Sequence, residues 1–217
     1  MNKRIQFLII LWFSLATFSA QAQLHSIGVT GGYANTTVIL QDRVGNEINS
    51  EANFVAGLQT SLRLTPHWFL ELDLLYTQNG YRTSFFSLGE FDLDYNYLSV
   101  PLKISYRFGN KIQGFINLGV TQSILLNAKA IGPLFGPADE LVDPNATFDL
   151  KPSTRNFDLS GMAGIGARYN FSRWAISLEG RFNRSFTNFD KLTGSNVEAF
   201  HQSLQVLLGV HYLLGKK

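Results

Sequence analysis

Along residues 68–76 the even positions are Trp68, Leu70, Leu72, Leu74 and Tyr76, while the odd ones include Glu71 and Asp73. Successive side chains of a β-strand point to opposite sides of the ribbon, so this alternation predicts a strand with one oily and one charged face. The asymmetry recurs. Leu98, Val100, Leu102, Ile104 and Tyr106 share one parity in a second segment, and Phe157, Leu159, Gly161, Ala163, Ile165, Ala167 and Tyr169 share it in a third. Trp174, Ile176, Leu178, Gly180 and Phe182, then Leu204, Val206, Leu208, Val210 and Tyr212, continue it without a charge. The opposite parity collects Arg63, Glu71, Asp73, Lys103, Arg107, Arg168, Glu179 and Arg181, with small residues such as Gly57, Ser61, Ser105, Gly119, Gly164 and Gly166. Arg or Lys facing lipid at mid-bilayer costs about 2–4 kcal/mol, so charges gathered on one parity predict a barrel with lipid outside and a polar lumen inside.

The alternation yields eight strands, approximately His25–Val38, Asn53–Leu64, Trp68–Gln78, Phe91–Phe108, Ile112–Ala130, Asn156–Phe171, Trp174–Asn188 and Val197–Leu213. The fold class is thus all-β, an eight-stranded antiparallel up-and-down transmembrane barrel. Its connections alternate between tight turns (65–67, 109–111, 172–173) and longer loops (39–52, 79–90, 131–155, 189–196), the periplasmic and extracellular pattern of outer-membrane barrels. A hairpin keeps facing residues on one side of the sheet. Leu64 is therefore expected opposite Trp68, Phe108 opposite Ile112 and Phe171 opposite Trp174, and all six are apolar. The fifth strand is less regular, with Gln122 outward and Leu125 inward. Trp68, Phe108, Phe171, Trp174 and Tyr212 form an expected periplasmic aromatic girdle, and Tyr76, Tyr81, Phe85, Phe86 and Phe91 an outer one.

The N-terminus reads as a cleaved signal peptide over residues 1–22: Lys3 and Arg4, the apolar run from Ile5 to Phe18, then Ala20-Gln21-Ala22 before Gln23. The barrel domain then spans 23–217. The run is shorter than the roughly 20 residues of a spanning helix, and no later apolar run reaches that length. The formal net charge of +2 falls to near zero once Lys3 and Arg4 are removed, which argues against electrostatic capture of nucleic acid. Without cysteine the chain is neither a lipoprotein nor a disulfide-stapled domain.

At residues 97–108 the chain reads YLSVPLKISYRF, and with this segment it resembles the PorT-like family of outer-membrane β-barrels, often labelled porin family. The resemblance extends to a glycine-rich first strand (Gly28, Gly31, Gly32), a glycine-rich sixth (Gly161, Gly164, Gly166) and a closing Leu208–Tyr212 segment. It implies an outer-membrane location and a part in protein export alongside other envelope proteins. Pro101 removes a ladder hydrogen bond, so it is expected at a bulge or edge rather than mid-strand. The C-terminus departs from the terminal aromatic of many such barrels, with Tyr212 as the nearest substitute.

Candidate chemistry is sparse. His201 and Ser203 share a strand face, yet residues two apart on a strand are separated by about 7 Å, too far for a direct hydrogen bond, and sequence places no acid beside them. His25, His67 and His211 lack ligand spacing, and Asp92-Leu93-Asp94 reads as a solvated loop edge rather than a calcium site. No catalytic, cofactor or metal residue is assigned. The lumen charges have a structural reading, pairing within a filled eight-stranded barrel, and a functional one, an ion or proton path along Glu71, Asp73, Lys103 and Arg107; the structural reading is preferred. Five lumen cations (Arg63, Lys103, Arg107, Arg168, Arg181) face three acids (Glu71, Asp73, Glu179), so anions, water or hydroxyls such as Tyr95, Tyr97 and Ser99 are expected to complete the network. Leu72→Arg and Leu102→Arg put charge into lipid and are each expected to cost a few kcal/mol, whereas Ser61→Arg and Ser105→Arg fall on the face that already carries charge and are expected to be better tolerated. Four of the six prolines lie in 131–155, a segment expected to project or to lack order. Partner binding is expected there and in 79–90. The chain is therefore read as a non-enzymatic envelope component, structural or secretion-associated, or alternatively as a surface-binding or adhesion barrel.

Overall fold

A computed structural model describes residues 23–41, 48–85, 89–137, 140–189 and 198–214, and the expected signal peptide, residues 1–22, lies outside this range. The described residues form nine strands: β1 (Gln23–Gln41), β2 (Ile48–Arg63), β3 (Trp68–Phe85), β4 (Gly89–Gly109), β5 (Ile112–Phe135), β6 (Leu141–Asp149), β7 (Phe157–Phe171), β8 (Trp174–Ser185) and β9 (Glu198–Leu213). Antiparallel neighbours run β4-β3-β2-β1-β9-β8-β7-β5, and the β4–β5 pairing closes these eight into a ring. Closure leaves no free edge in the wall, so every spanning backbone group can be satisfied within lipid.

Facing follows parity. Leu72, Leu74, Ile104, Leu118, Ile165, Leu178 and Leu208 are exposed on the outer surface, whereas Asp73, Lys103, Arg107, Arg168, Glu179 and Arg181 are buried inside. The Leu64 amide donates to the Trp68 carbonyl at 3.0 Å, and Phe171 pairs with Trp174, as the turns imply. The middle turn is displaced by two residues: Phe108 lies opposite Gly114, not Ile112. Gly109 has a φ of +98°, and the Phe108 ring covers Gly114, where a Cβ would come within 2.4 Å of it. An even displacement preserves facing, so Phe108 and Ile112 both remain outside.

The irregular fifth strand contains a bulge. Asn96 pairs with Asn127 but Tyr97 with Leu125, which leaves Leu126 as an extra residue. Before it, Gln122 faces outward and Leu125 inward; beyond it, Ala128 and Ala130 turn inward. Pro101 sits mid-strand without a bulge, contrary to expectation. It pairs with Thr121 of β5, while the β3–β4 ladder breaks between Leu72–Leu102 and Leu75–Ser99, where its missing N–H would have donated.

The strands also extend past the expected loops. Segment 79–90 continues β3 to Phe85 and resumes β4 at Gly89, and segment 131–155 holds the end of β5, all of β6 and a 3₁₀ turn at Lys151–Ser153. β6 pairs with β5 beyond the ring, so the proline-rich segment forms a hairpin rather than an unpaired projection. Tyr81 is another departure, stacking on Tyr95 of the lumen at 6.3 Å instead of joining the outer girdle. Phe91 packs against Phe148 of β6, and the side chains of Phe85 and Phe86 lie outside the described residues. At the turn end Trp68 meets Tyr106 at 5.0 Å and Trp174 meets Tyr212 at 5.2 Å, forming the expected girdle.

Candidate functional site

The acids and bases that meet at mid-lumen come from the adjacent strands β3 and β4 and from β8 across the barrel. Glu71 of β3 lies opposite Lys103 of β4, and Lys103 in turn lies opposite Gly119 of β5, whose lack of a side chain leaves room at the wall. Lys103 Nζ is 2.8 Å from Asp73 Oδ2, 3.1 Å from Glu71 Oε2 and 3.9 Å from Glu179 Oε2, and its side chain is fully buried. From across the barrel Arg181 donates through Nε to Glu179 Oε1 at 2.9 Å and through Nη2 to Asp73 Oδ2 at 3.2 Å. Arg107 Nη2 donates to Glu71 Oε1 at 2.7 Å, with its guanidinium 4.0 Å above the Phe69 ring. Gln59 and Asn117 add amide donors to Asp73 and Glu179. The network joins opposite walls of the barrel, which is what buried charges require when water cannot solvate them.

The two surplus cations are Arg63 and Arg168. Arg63 is exposed at the turn-end rim, and its Nε donates to the Thr65 carbonyl at 3.4 Å. Arg168 is buried, and its Nε donates to Asn170 Oδ1 at 3.2 Å. The hydroxyls expected to complete the network are elsewhere. Ser99 Oγ lies 2.8 Å from both Thr77 Oγ1 and Ser123 Oγ, forming a polar belt toward the loop end, and the Tyr97 hydroxyl is 3.3 Å from His201 Nε2.

Above that belt an apolar cluster fills part of the lumen. Val38, Tyr95, Tyr97, Leu125, Ala128, Phe189 and Ala199 form a buried cluster, and the Phe189 ring stacks on His201 at 4.1 Å. Sequence reasoning assigned the lumen to charge and missed this cap. Its signal was the set of apolar residues on inward parity, Val38, Leu125 and Ala199.

His201 and Ser203 both face the lumen without engaging each other: Ser203 Oγ accepts from Asn183 and Gln205 amides at 3.4 and 3.3 Å. Asp158, an acid that sequence did not place here, shares a cavity lining with both, and it accepts from Ser160 Oγ at 2.7 Å and from Ser185 and Thr187. His25 packs on Phe69, His67 Nδ1 lies 3.0 Å from the Arg107 carbonyl oxygen and His211 Nε2 lies 2.8 Å from Ser177 Oγ, so the histidines stay dispersed. Asp92 and Asp94 belong to β4, not to a loop edge, and pair with Arg82 and Lys129. Among the described residues no group of three metal-ligating side chains converges.

A family profile described as "Outer membrane protein beta-barrel domain" matches residues 20–191. The chain belongs to that family. Among solved structures, OprG of Pseudomonas aeruginosa superimposes with a TM-score of 0.55 at 13% identity, covering 88% of this chain and 97% of OprG. Neisserial surface protein A gives 0.48 at 13% identity over 86% of this chain and 96% of its own. Ail, the attachment invasion locus protein of Yersinia pestis, gives 0.46 at 14% over 88% and 100%. No curated protein matches the sequence. Family and fold together place the protein in the outer membrane; in such barrels the short turns are periplasmic.

Proposed function

We propose that the protein is a non-catalytic outer-membrane barrel, sealed by its own side chains, that serves as an envelope scaffold and binds partners through its extended outer wall. The observation that carries this reading is the network around Lys103, which ties Glu71 and Asp73 on one wall to Glu179 and Arg181 on the other. A lumen crossed by fully buried ion pairs has no water column to conduct, which weighs against an ion or proton path. Sealing leaves the exterior as the working surface. There the β5–β6 hairpin rises beyond the ring and exposes Leu134, Phe135, Leu141 and Val142 to solvent.

The export role implied by the PorT-like resemblance uses the same surface, with envelope proteins as the partners. Cross-linking and pull-down from solubilised outer membrane separates the readings. Secretion-machinery subunits captured by the intact chain, and lost when 133–149 is replaced by a short glycine-serine linker, support the export role. Capture of an external ligand under the same control supports adhesion, and identical captures with and without the hairpin refute both. N-terminal sequencing of the membrane-inserted protein is expected to begin at Gln23, after cleavage of the signal peptide.

A further inference from the structure

Among the described residues, one buried cation has no carboxylate partner. The three acids of the network, Glu71, Asp73 and Glu179, are balanced by Lys103, Arg107 and Arg181, which leaves Arg168 as a fourth buried positive charge. It is 3% exposed; its Nη2 and the Nη1 of Arg107 are both buried without a hydrogen-bond partner. Both arginines line one cavity of about 20 Å³, whose walls also include Ser26, Ser61, Ser177 and His211. Glu71 and Glu179 border it too, but their oxygens are engaged by Arg107 and Lys103, and by Arg181, Asn117 and Lys103. Asp158 cannot neutralise Arg168, because ten residues along β7 separate them by roughly 33 Å.

We infer that a single chloride-sized anion occupies this cavity between Arg107 and Arg168. A cavity of this volume has room for one small species and suits a monatomic anion better than phosphate or sulfate. Charge selects an anion over water there, since buried guanidinium donors without acceptors are costly and a halide accepts from both. The route in is basic as well. A basin of about 640 Å³ at the periplasmic mouth is lined by Arg63 and Lys111, and it reaches Gln113, the cross-strand partner of Arg168.

The test is urea unfolding of the full detergent-solubilised chain in sodium chloride against sodium gluconate at constant ionic strength. Chloride is expected to raise the midpoint saturably. At tenfold above half-saturation the folded-to-unfolded ratio rises about elevenfold, bromide substitutes, and sulfate and phosphate do not. Arg168→Gln abolishes the dependence. Wild-type crystals grown in bromide give an independent reading that no variant's folding affects: an anomalous peak between Arg107 and Arg168 supports the site. Equal midpoints in chloride and gluconate, a dependence unchanged in Arg168→Gln, or water alone at that position overturns it.

Discussion

Leu102 and Lys103 are neighbours in sequence and face opposite media, so substitutions at the two positions fail for different reasons. Leu102→Arg and Leu72→Arg place a charge in lipid and are each expected to cost about 2–4 kcal/mol. Lys103→Met leaves Glu71 and Asp73 short of a counter-charge inside the wall, and removing one partner of a buried pair costs about 3–5 kcal/mol. Urea unfolding in micelles measures both. Adding Asp73→Asn to Lys103→Met is expected to recover part of the second loss, because it removes a stranded charge; no recovery would mean that the network matters through packing alone. The inward facing of these charges was legible from parity, since period two leaves no ambiguity where charge is confined to one side. Their crowding was not. Ser105 is completely buried between Lys103 and Arg107 on the inner face of β4, so arginine there meets both a packed wall and like charge. The comparison with Leu72→Arg therefore reads facing only through a smaller change such as Ser105→Ala.

At the level of elements, the irregularity read in β5 from Gln122 and Leu125 lies before its bulge, where both residues keep the regular facing, so the bulge itself was not legible. Leu126 is the inserted residue of a bulge, and deleting it restores unbroken alternation from Ile124 through Ala128. The deletion is expected to leave a folded barrel that shifts on unheated gels. Deleting Val120 instead turns one end of β5 inside out relative to β4 and β7, and is expected to abolish folding; equal tolerance of the two would refute the register. β6 was illegible for a physical reason. Pro133 and Pro144 signalled an unpaired loop, yet the β5–β6 ladder steps over both, from Gly132–Ala146 to Leu134–Asp143, so the missing donors fall within a register break. Residue type alone does not reveal where a ladder can skip.

For the whole molecule, ring closure and lumen filling make separate predictions. Closure keeps the backbone satisfied in detergent, so the unheated protein is expected to migrate differently from the boiled one and to give a β-dominated far-UV circular dichroism spectrum; a helical spectrum would contradict the ring. Filling concerns conductance. From the periplasmic side a permeating ion meets Arg168 and Arg107, then the buried pairs around Lys103, then Ala34, Val55, Leu75 and Leu207, which are almost wholly inaccessible, and then the aromatic cap. Two inner cavities among the described residues, of about 20 and 40 Å³, have room for isolated waters or a single ion. Passage would require the ion pairs to separate inside a medium that solvates neither partner. In a planar bilayer the reconstituted protein is therefore expected to show no sustained unitary current at modest voltage. Substitution of Lys103, Arg107, Arg168 and Arg181 by alanine, together with Glu71, Asp73 and Glu179 by serine, opens the centre without leaving a charge of the network buried. If that variant also stays silent, the apolar cap is the tighter seal; steady current through the unaltered chain would replace the scaffold with a diffusion pore.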